Sequence, residues 1–136
     1  MESEHFVGKV ALRGIIERKG LILVARDVKD DIWEWPGGRL HMGEHPRAAL
    51  AREFKEELGV DVEVGEMFYT EQWKHVRSGT PQLFLFFQCT IADGQEPRPD
   101  LTEVAEVRWI TRDELKALPM WEDCCRAADE FLKHER

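Results

Sequence analysis

The chain has 136 residues, 43% hydrophobic and 34% charged, and a formal charge of −8. That length suits one domain over residues 1–136 with one substantial core, and the composition is that of a soluble globular protein. No apolar run reaches the roughly 20 residues of a membrane helix, and the start, with Glu2, Glu4 and His5, lacks the basic and apolar segments of a secretory signal. The negative charge, with no Lys/Arg cluster to offset it, makes nucleic acid an unfavourable partner. If the ligand is itself a phosphate anion, a divalent cation held by acidic side chains would mediate. Cys89, Cys124 and Cys125 are odd in number and show no CxxC spacing, so they read as free thiols of a reducing, cytoplasmic compartment rather than as a disulfide frame or a zinc site.

Residues 10–16 read as a strand, Lys19-Gly20 as a turn and residues 21–26 as a second strand. A polar loop from Asp27 to Asp31 leads into Ile32-Trp33-Glu34-Trp35-Pro36-Gly37-Gly38, where the proline and paired glycines predict tight, irregular backbone. A helix follows between Pro46, suited to a first helical position, and Gly59, suited to the residue just past the end. Leu50, Phe54 and Leu58 give it an apolar stripe. Strands are expected at 60–64, 67–73, 82–91 and 104–110. Thr111-Arg112-Asp113-Glu114 has the form of a capping box that starts a short helix, and 121–133 reads as a terminal helix with Cys125, Ala128 and Leu132 on one face. Strands on both sides of a central helix, with a helix at the end, predict a mixed α/β sandwich.

The central helix carries the chemistry. At about 100° per residue, Glu56 and Glu57 fall at about −60° and +40° from Glu53, so three carboxylates share one side. The apolar arc lies next to them. Such an anionic strip repels itself, and a hard divalent ion with oxygen ligands turns that repulsion into binding. Ala49, one turn before Glu53, is expected to leave room there for an ion and its waters. Arg52, four residues before Glu56, is placed to brace that carboxylate.

From Gly38 the chain runs five residues to Glu44, then seven to Arg52-Glu53-Phe54-Lys55-Glu56-Glu57-Leu58-Gly59-Val60. This resembles the Nudix box, G-x5-E-x7-R-E-U-x-E-E-x-G-U with U a bulky apolar residue, at every constrained position. The preceding Trp33-Glu34-Trp35-Pro36-Gly37 is similar to the lead-in of many members. The resemblance implies the Nudix fold, an α/β/α sandwich with a mixed sheet. It also implies a pyrophosphohydrolase that uses Mg²⁺, with Mn²⁺ an alternative, to cleave a phosphoanhydride bond in a nucleoside di- or triphosphate derivative. By similarity Glu53, Glu56 and Glu57 are metal ligands, joined by the carbonyl of Gly37 or Gly38. Glu44 either approaches the metal or ties its loop to Arg52. Glu103 is the expected additional metal-binding or basic glutamate, with Glu106 as the alternative, and either Glu57 or Glu103 takes the proton from water. Arg26 resembles an arginine that grips substrate phosphate, and Arg39 is assigned with it to substrate binding. His41 is a further candidate phosphate contact, and Trp33, Trp73, His75, Phe84 and Phe86 are candidates for stacking on a base.

Marks of the family's subgroups fit less well. Pro81 lies about twenty residues past the box, where the ADP-ribose group has a proline at about fifteen. Tyr69 lies about nine residues past it, nearer than the tyrosine of dinucleoside polyphosphate enzymes. Nucleoside triphosphates are slightly favoured, with ADP-ribose, nucleotide sugars and dinucleoside polyphosphates as alternatives. A non-catalytic nucleotide sensor is a rival of another class, and trimming of RNA 5′ ends another reading of the same chemistry. Members are often dimers, which leaves a homodimer open.

Overall fold

In the computed structural model, residues 4–29, 31–75 and 78–133 are described; Glu2, of the acidic start, and Asp30, of the polar loop, lie outside them. Strand β1 (Lys9–Arg18) turns into β2 (Leu21–Asp27) through Lys19 and Gly20, both at positive φ, 54° and 78°. That pair of left-handed residues matches the twist of the strands they join. The stretch read as irregular holds two short strands, β3 (Trp33–Glu34) and β4 (Gly37–Arg39). Pro36 separates them, and its carbonyl accepts the Gly14 N–H at 2.9 Å.

Helix α1 (Pro46–Leu58) begins at Pro46 and stops at Gly59, whose φ of 65° is left-handed and whose N–H donates to the Lys55 carbonyl. The next two expected strands are one, β5 (Val62–Lys74), because shifts of register after Val64 and Met67 absorb the interruption without breaking the pairing. Strands β6 (Pro81–Ile91) and β7 (Val104–Ile110) follow. Helix α2 (Arg112–Ala117) carries the expected capping box, Thr111 and Glu114 each bonding the other's backbone N–H, and α3 (Glu122–Leu132) ends the described chain.

The strands run in the order β3-β2-β1-β6-β5, with β4 paired to β1 and β7 to β2. β1 and β6 are parallel and the other strand pairs antiparallel, so the sheet is mixed. Side chains alternate across it. Ala11 and Ile15 of β1, with Phe84 and Phe86 of β6, pack on the side of α2 and α3, while Leu12, Ile16, Phe87 and Cys89 pack on the side of α1. Helices thus cover both faces, as the sandwich reading requires.

The face of α3 differs from expectation. Cys124, Ala127, Ala128 and Phe131 are buried, while Cys125 is exposed and Leu132 only half-buried. Phe131 sets the rotation by joining Trp35 and Phe68, with ring centroids 6.2 and 5.8 Å away, a larger apolar contact than Leu132 could make. Cys89, Cys124 and Cys125, all among the described residues, form no disulfide. No helix among the described residues is long and apolar enough to cross a membrane.

On the other face, α1 lies close to the sheet because β1 has a glycine beneath it. A Cβ at Gly14 would stand 2.6 Å from Cε2 of the fully buried Phe54 and 3.0 Å from the Cys89 sulfur. Gly14→Ala should therefore overpack the core and cost about 1–3 kcal/mol. A urea midpoint equal to that of the wild type would show that the helix yields without strain.

Candidate active site

The N-terminal half of β1 pairs with β4 at residues 11–13, and its last two residues pair with β2. Between these contacts the flanking strands diverge. Two adjoining cavities open at the divergence, of ≈ 630 and ≈ 230 Å³. The larger is walled by Glu53, Glu56 and Glu57 from α1, Arg26 from β2, Gly38 and Arg39 from β4, and Glu103 from the loop before β7. The smaller is lined by Arg13, Gly37, Lys74, His75, Gln82, Phe84 and Trp121. Asp27, Glu34, Gly38, Arg39 and Glu57 border both.

β4 and α1 meet at Gly38. Gly38 pairs with Leu12, so it faces α1, and a Cβ there would stand 2.6 Å from Glu53 Oε1 and closer still to the rest of the carboxyl group. Glu53 is itself buried, at 9% exposure. Its neighbour Arg52 ties the loop between β4 and α1 to the helix. The Arg52 guanidinium makes two bonds to Glu44, at 2.7 and 3.0 Å, and donates to Glu53 at 3.0 Å and Glu56 at 3.1 Å. Glu44 also accepts the His41 N–H at 2.8 Å. Of the two roles open to Glu44, its contacts are those of the tie to Arg52. Those same bonds, Arg52 first, hold the Glu44 carboxyl well below the usual carboxylate range.

Glu57 is in the opposite position. Burial comes first and the charge of Glu53 second in raising its carboxyl well above the usual range; Glu34 and Glu103 add to the rise and Arg13 opposes it. Burial also raises Glu53, against the pull of Arg52. Two carboxyls in one poorly hydrated place cannot both ionise cheaply without a cation. The donors are oxygens and the deficit is positive charge, so the residues fit a hard divalent ion. As they stand, the described residues form no group of three or more His, Cys, Asp or Glu side chains able to hold one. Arg52 occupies one oxygen each of Glu53 and Glu56, and Glu56, exposed at the cavity edge, is free of packing that would stop it turning.

The other expected residues divide. Glu103 lines the larger cavity, whereas Glu106 is outside its lining and accepts from Arg108, at 2.9 Å, and from Arg26, at 3.5 Å. Arg26 stands at the cavity wall over the buried ring of Trp33, with Glu106 and Asp31 as counter-charges. Arg39 reaches both cavities, and His41 lies at the edge of the larger. His75 and Phe84 line the smaller, but Phe86 is sealed in the core, Trp33 lies under Arg26 and Arg108, and Trp73 is exposed beside Arg126. Ala49 leaves no room for an ion. It is fully buried in the core with Leu50 and Phe54, because the close approach of α1 to the glycine-bearing strands brings this side of the first turns into contact with the sheet. Sequence reasoning passed over Arg13, Glu34 and Gln82. Arg13 had a signal, a lone cation at an otherwise apolar strand's inward position. Glu34 stood in the lead-in to the box without a role of its own, and Gln82 is an ordinary polar strand residue that nothing marked.

Replacing Arg52 with Ala should free the loop that carries Glu44. Stability should fall by about 1–3 kcal/mol for the lost charged hydrogen bonds, and hydrogen exchange at the His41 amide should quicken. Unchanged exchange there would mean that the loop is held by something else.

The NUDIX domain family model matches residues 8–127. A MutT-like protein of Streptomyces ambofaciens is 36% identical over 107 residues, which are 78% of this chain and 66% of that protein. A putative ADP-ribose pyrophosphatase, YjhB, of Bacillus subtilis (strain 168) is 33% identical over 98 residues, 69% of this chain and 47% of its own length. The chain thus spans between about half and two thirds of these relatives. The solution structure of the E. coli ORF135 protein superposes with a TM-score of 0.75 at 28% identity, covering 92% of this chain and 89% of that one. With the family model matched over most of its length, around a box helix that places its glutamates at a cavity, the chain belongs to the Nudix family.

Proposed function

We propose that the protein is a Mg²⁺-dependent pyrophosphohydrolase, with Mn²⁺ able to substitute, acting on a phosphoanhydride bond of a small nucleotide in the cytoplasm. The observation that carries this reading is the buried Glu53, packed against Gly38, and the half-buried Glu57 one turn on, at a cavity whose lining also bears Arg26 and Arg39. Glu53, Glu56 and Glu57, with a backbone carbonyl of Gly37 or Gly38, would hold the metal. Bound there, it supplies neutralisation of the diphosphate and a more acidic water.

The chain's own groups do the rest. Glu57 or Glu103, both at the larger cavity, accepts a proton from the attacking water. Arg39 and Arg26 face the charge of the phosphates. Arg52 keeps Glu53 and Glu56 aligned, and Glu44 keeps Arg52 in place. The smaller cavity, with Phe84 and His75 in its lining, takes the part of the nucleotide beyond the diphosphate.

Nucleoside triphosphates are the favoured substrates. ADP-ribose is the second reading, favoured by the name of the Bacillus subtilis relative. Both carry the diphosphate that this arrangement addresses.

A screen of nucleoside triphosphates, ADP-ribose and nucleotide sugars with Mg²⁺ and with Mn²⁺, products identified by mass, tests the proposal. Turnover should vanish with EDTA. Glu56→Gln and Glu57→Gln should each lower it by roughly 100-fold or more while the melting temperature stays near that of the wild type. Gly38→Ala should lower it too, by displacing the Glu53 carboxylate. Near-normal turnover in both glutamine variants would refute the assignment, and nucleotide binding with no product from any substrate would favour the sensor reading.

A further inference from the structure

Arg39 and Gln82 sit on strands that do not neighbour each other. β4 and β6 flank β1 on opposite sides, Arg39 pairing with Ala11, Ala11 with Phe84, and Lys9 with Gln82. Register partners share a face, so Arg39, Ala11, Gln82 and Phe84 all point to the side of the smaller cavity. Ala11 is the residue between the two long side chains, and its methyl group leaves a gap across β1. Through that gap they touch: with its amide oriented to satisfy its neighbours, the Gln82 carbonyl oxygen accepts from Arg39 Nη2 at 3.1 Å and from Arg39 Nε at 3.2 Å.

Three features separate this contact from an ordinary packing bond. Gln82 is only 3% exposed, which is costly for an amide unless it has a task or a partner. Arg39 borders both cavities. Among the described residues no carboxylate pairs with the Arg39 guanidinium, whereas Arg13, Arg26 and Arg52 each have at least one. A neutral acceptor on two of its donors fixes the orientation of the guanidinium without cancelling its charge, and leaves the remaining donors for an anion.

We propose that Gln82 is a positioning residue, whose buried carbonyl reaches across β1 to hold the Arg39 guanidinium at the wall shared by the two cavities, charged and aimed at the diphosphate of the substrate. This rests on the hydrolase reading only for the identity of the anion. A glutamate at position 82 would hold the same guanidinium and neutralise it; an apolar residue of equal length would leave it charged and loose. Position 82 therefore separates placement from charge.

Calorimetric titration with inorganic pyrophosphate in Mg²⁺ tests this on the wild type, Q82M, Q82E, R39A and the double variant R39A/Q82M, with NMR detection of the Arg39 Nε–H. Q82M and R39A should each weaken pyrophosphate binding about tenfold, and the double variant should bind no more weakly than R39A. The Nε–H should exchange fast in Q82M and slowly in Q82E, although Q82E also loses affinity. A purely structural role would lower the melting temperature and add to R39A instead. The inference is overturned if the wild type binds no pyrophosphate, if Q82M or R39A binds it as the wild type does, or if their effects add. Should Q82M not fold, the pairing of a retained Nε–H with lost affinity in Q82E supports the inference, and wild-type affinity in Q82E overturns it. Pyrophosphate bound with no turnover of any nucleotide would sink the hydrolase reading alone; a hydrolase indifferent to position 82 would sink this inference alone.

Discussion

One hydrogen atom, where other residues have a Cβ, decides the geometry of the site. At Gly38 the backbone of β4 lies against the Glu53 carboxylate so closely that no side chain fits. Gly14, on the neighbouring strand, lets the Phe54 ring settle onto the sheet in the same way. Between them these two absences bring α1 close enough to bury Glu53 and half-bury Glu57. Burial raises the weight of these charges, since an ion pair in water is worth little and the same interaction in a poorly hydrated place is worth much more. The helix would be acidic in any setting, but only close packing against glycine-bearing strands makes its acidity costly.

That cost is shared out unevenly. Arg52 meets it for Glu44 and partly for Glu53 and Glu56, with well-formed bonds of 2.7–3.1 Å. Glu57 is left facing Glu53, Glu34 and Glu103, with Arg13 as its opposing charge. The loop side of the cluster is thus held by arginine, whereas on the sheet side Glu57 lies against the Glu53 carboxyl. Positive charge is gathered locally as well: Arg26, Arg39 and Arg52 line the larger cavity, although the chain as a whole carries a charge of −8.

Much of this was legible in the residues. The capping proline and glycine bounded α1, the Thr111–Glu114 box started α2, and the spacing of Glu53, Glu56 and Glu57 put them on one side of a helix. These are local properties, set by backbone conformation within a turn or two of chain, and a sequence displays them directly. Errors came where two distant segments compete for one surface. Ala49 lies at the right angle to face an ion, and instead meets the sheet. Cys125 and Leu132 fit a helical stripe, but Phe131 wins the inward position by joining the aromatic cluster around Trp35.

The sequence by itself determined that a helix bearing three carboxylates and a bracing arginine follows a glycine-rich bend, because spacing of 3.6 residues per turn and the conformations of proline and glycine need no partner elsewhere. Only the tertiary structure decided which charges the helix would meet. Arg13, Glu34, Arg39 and Gln82 gather at the smaller cavity, which Glu57 of the helix borders, from β1, β3, β4 and β6, and the register of those strands depends on which hydrophobic faces are buried together. A strand residue carries no mark of the strand that will lie beside it, so the contact of Arg39 and Gln82 across Ala11 exists only once the sheet has formed.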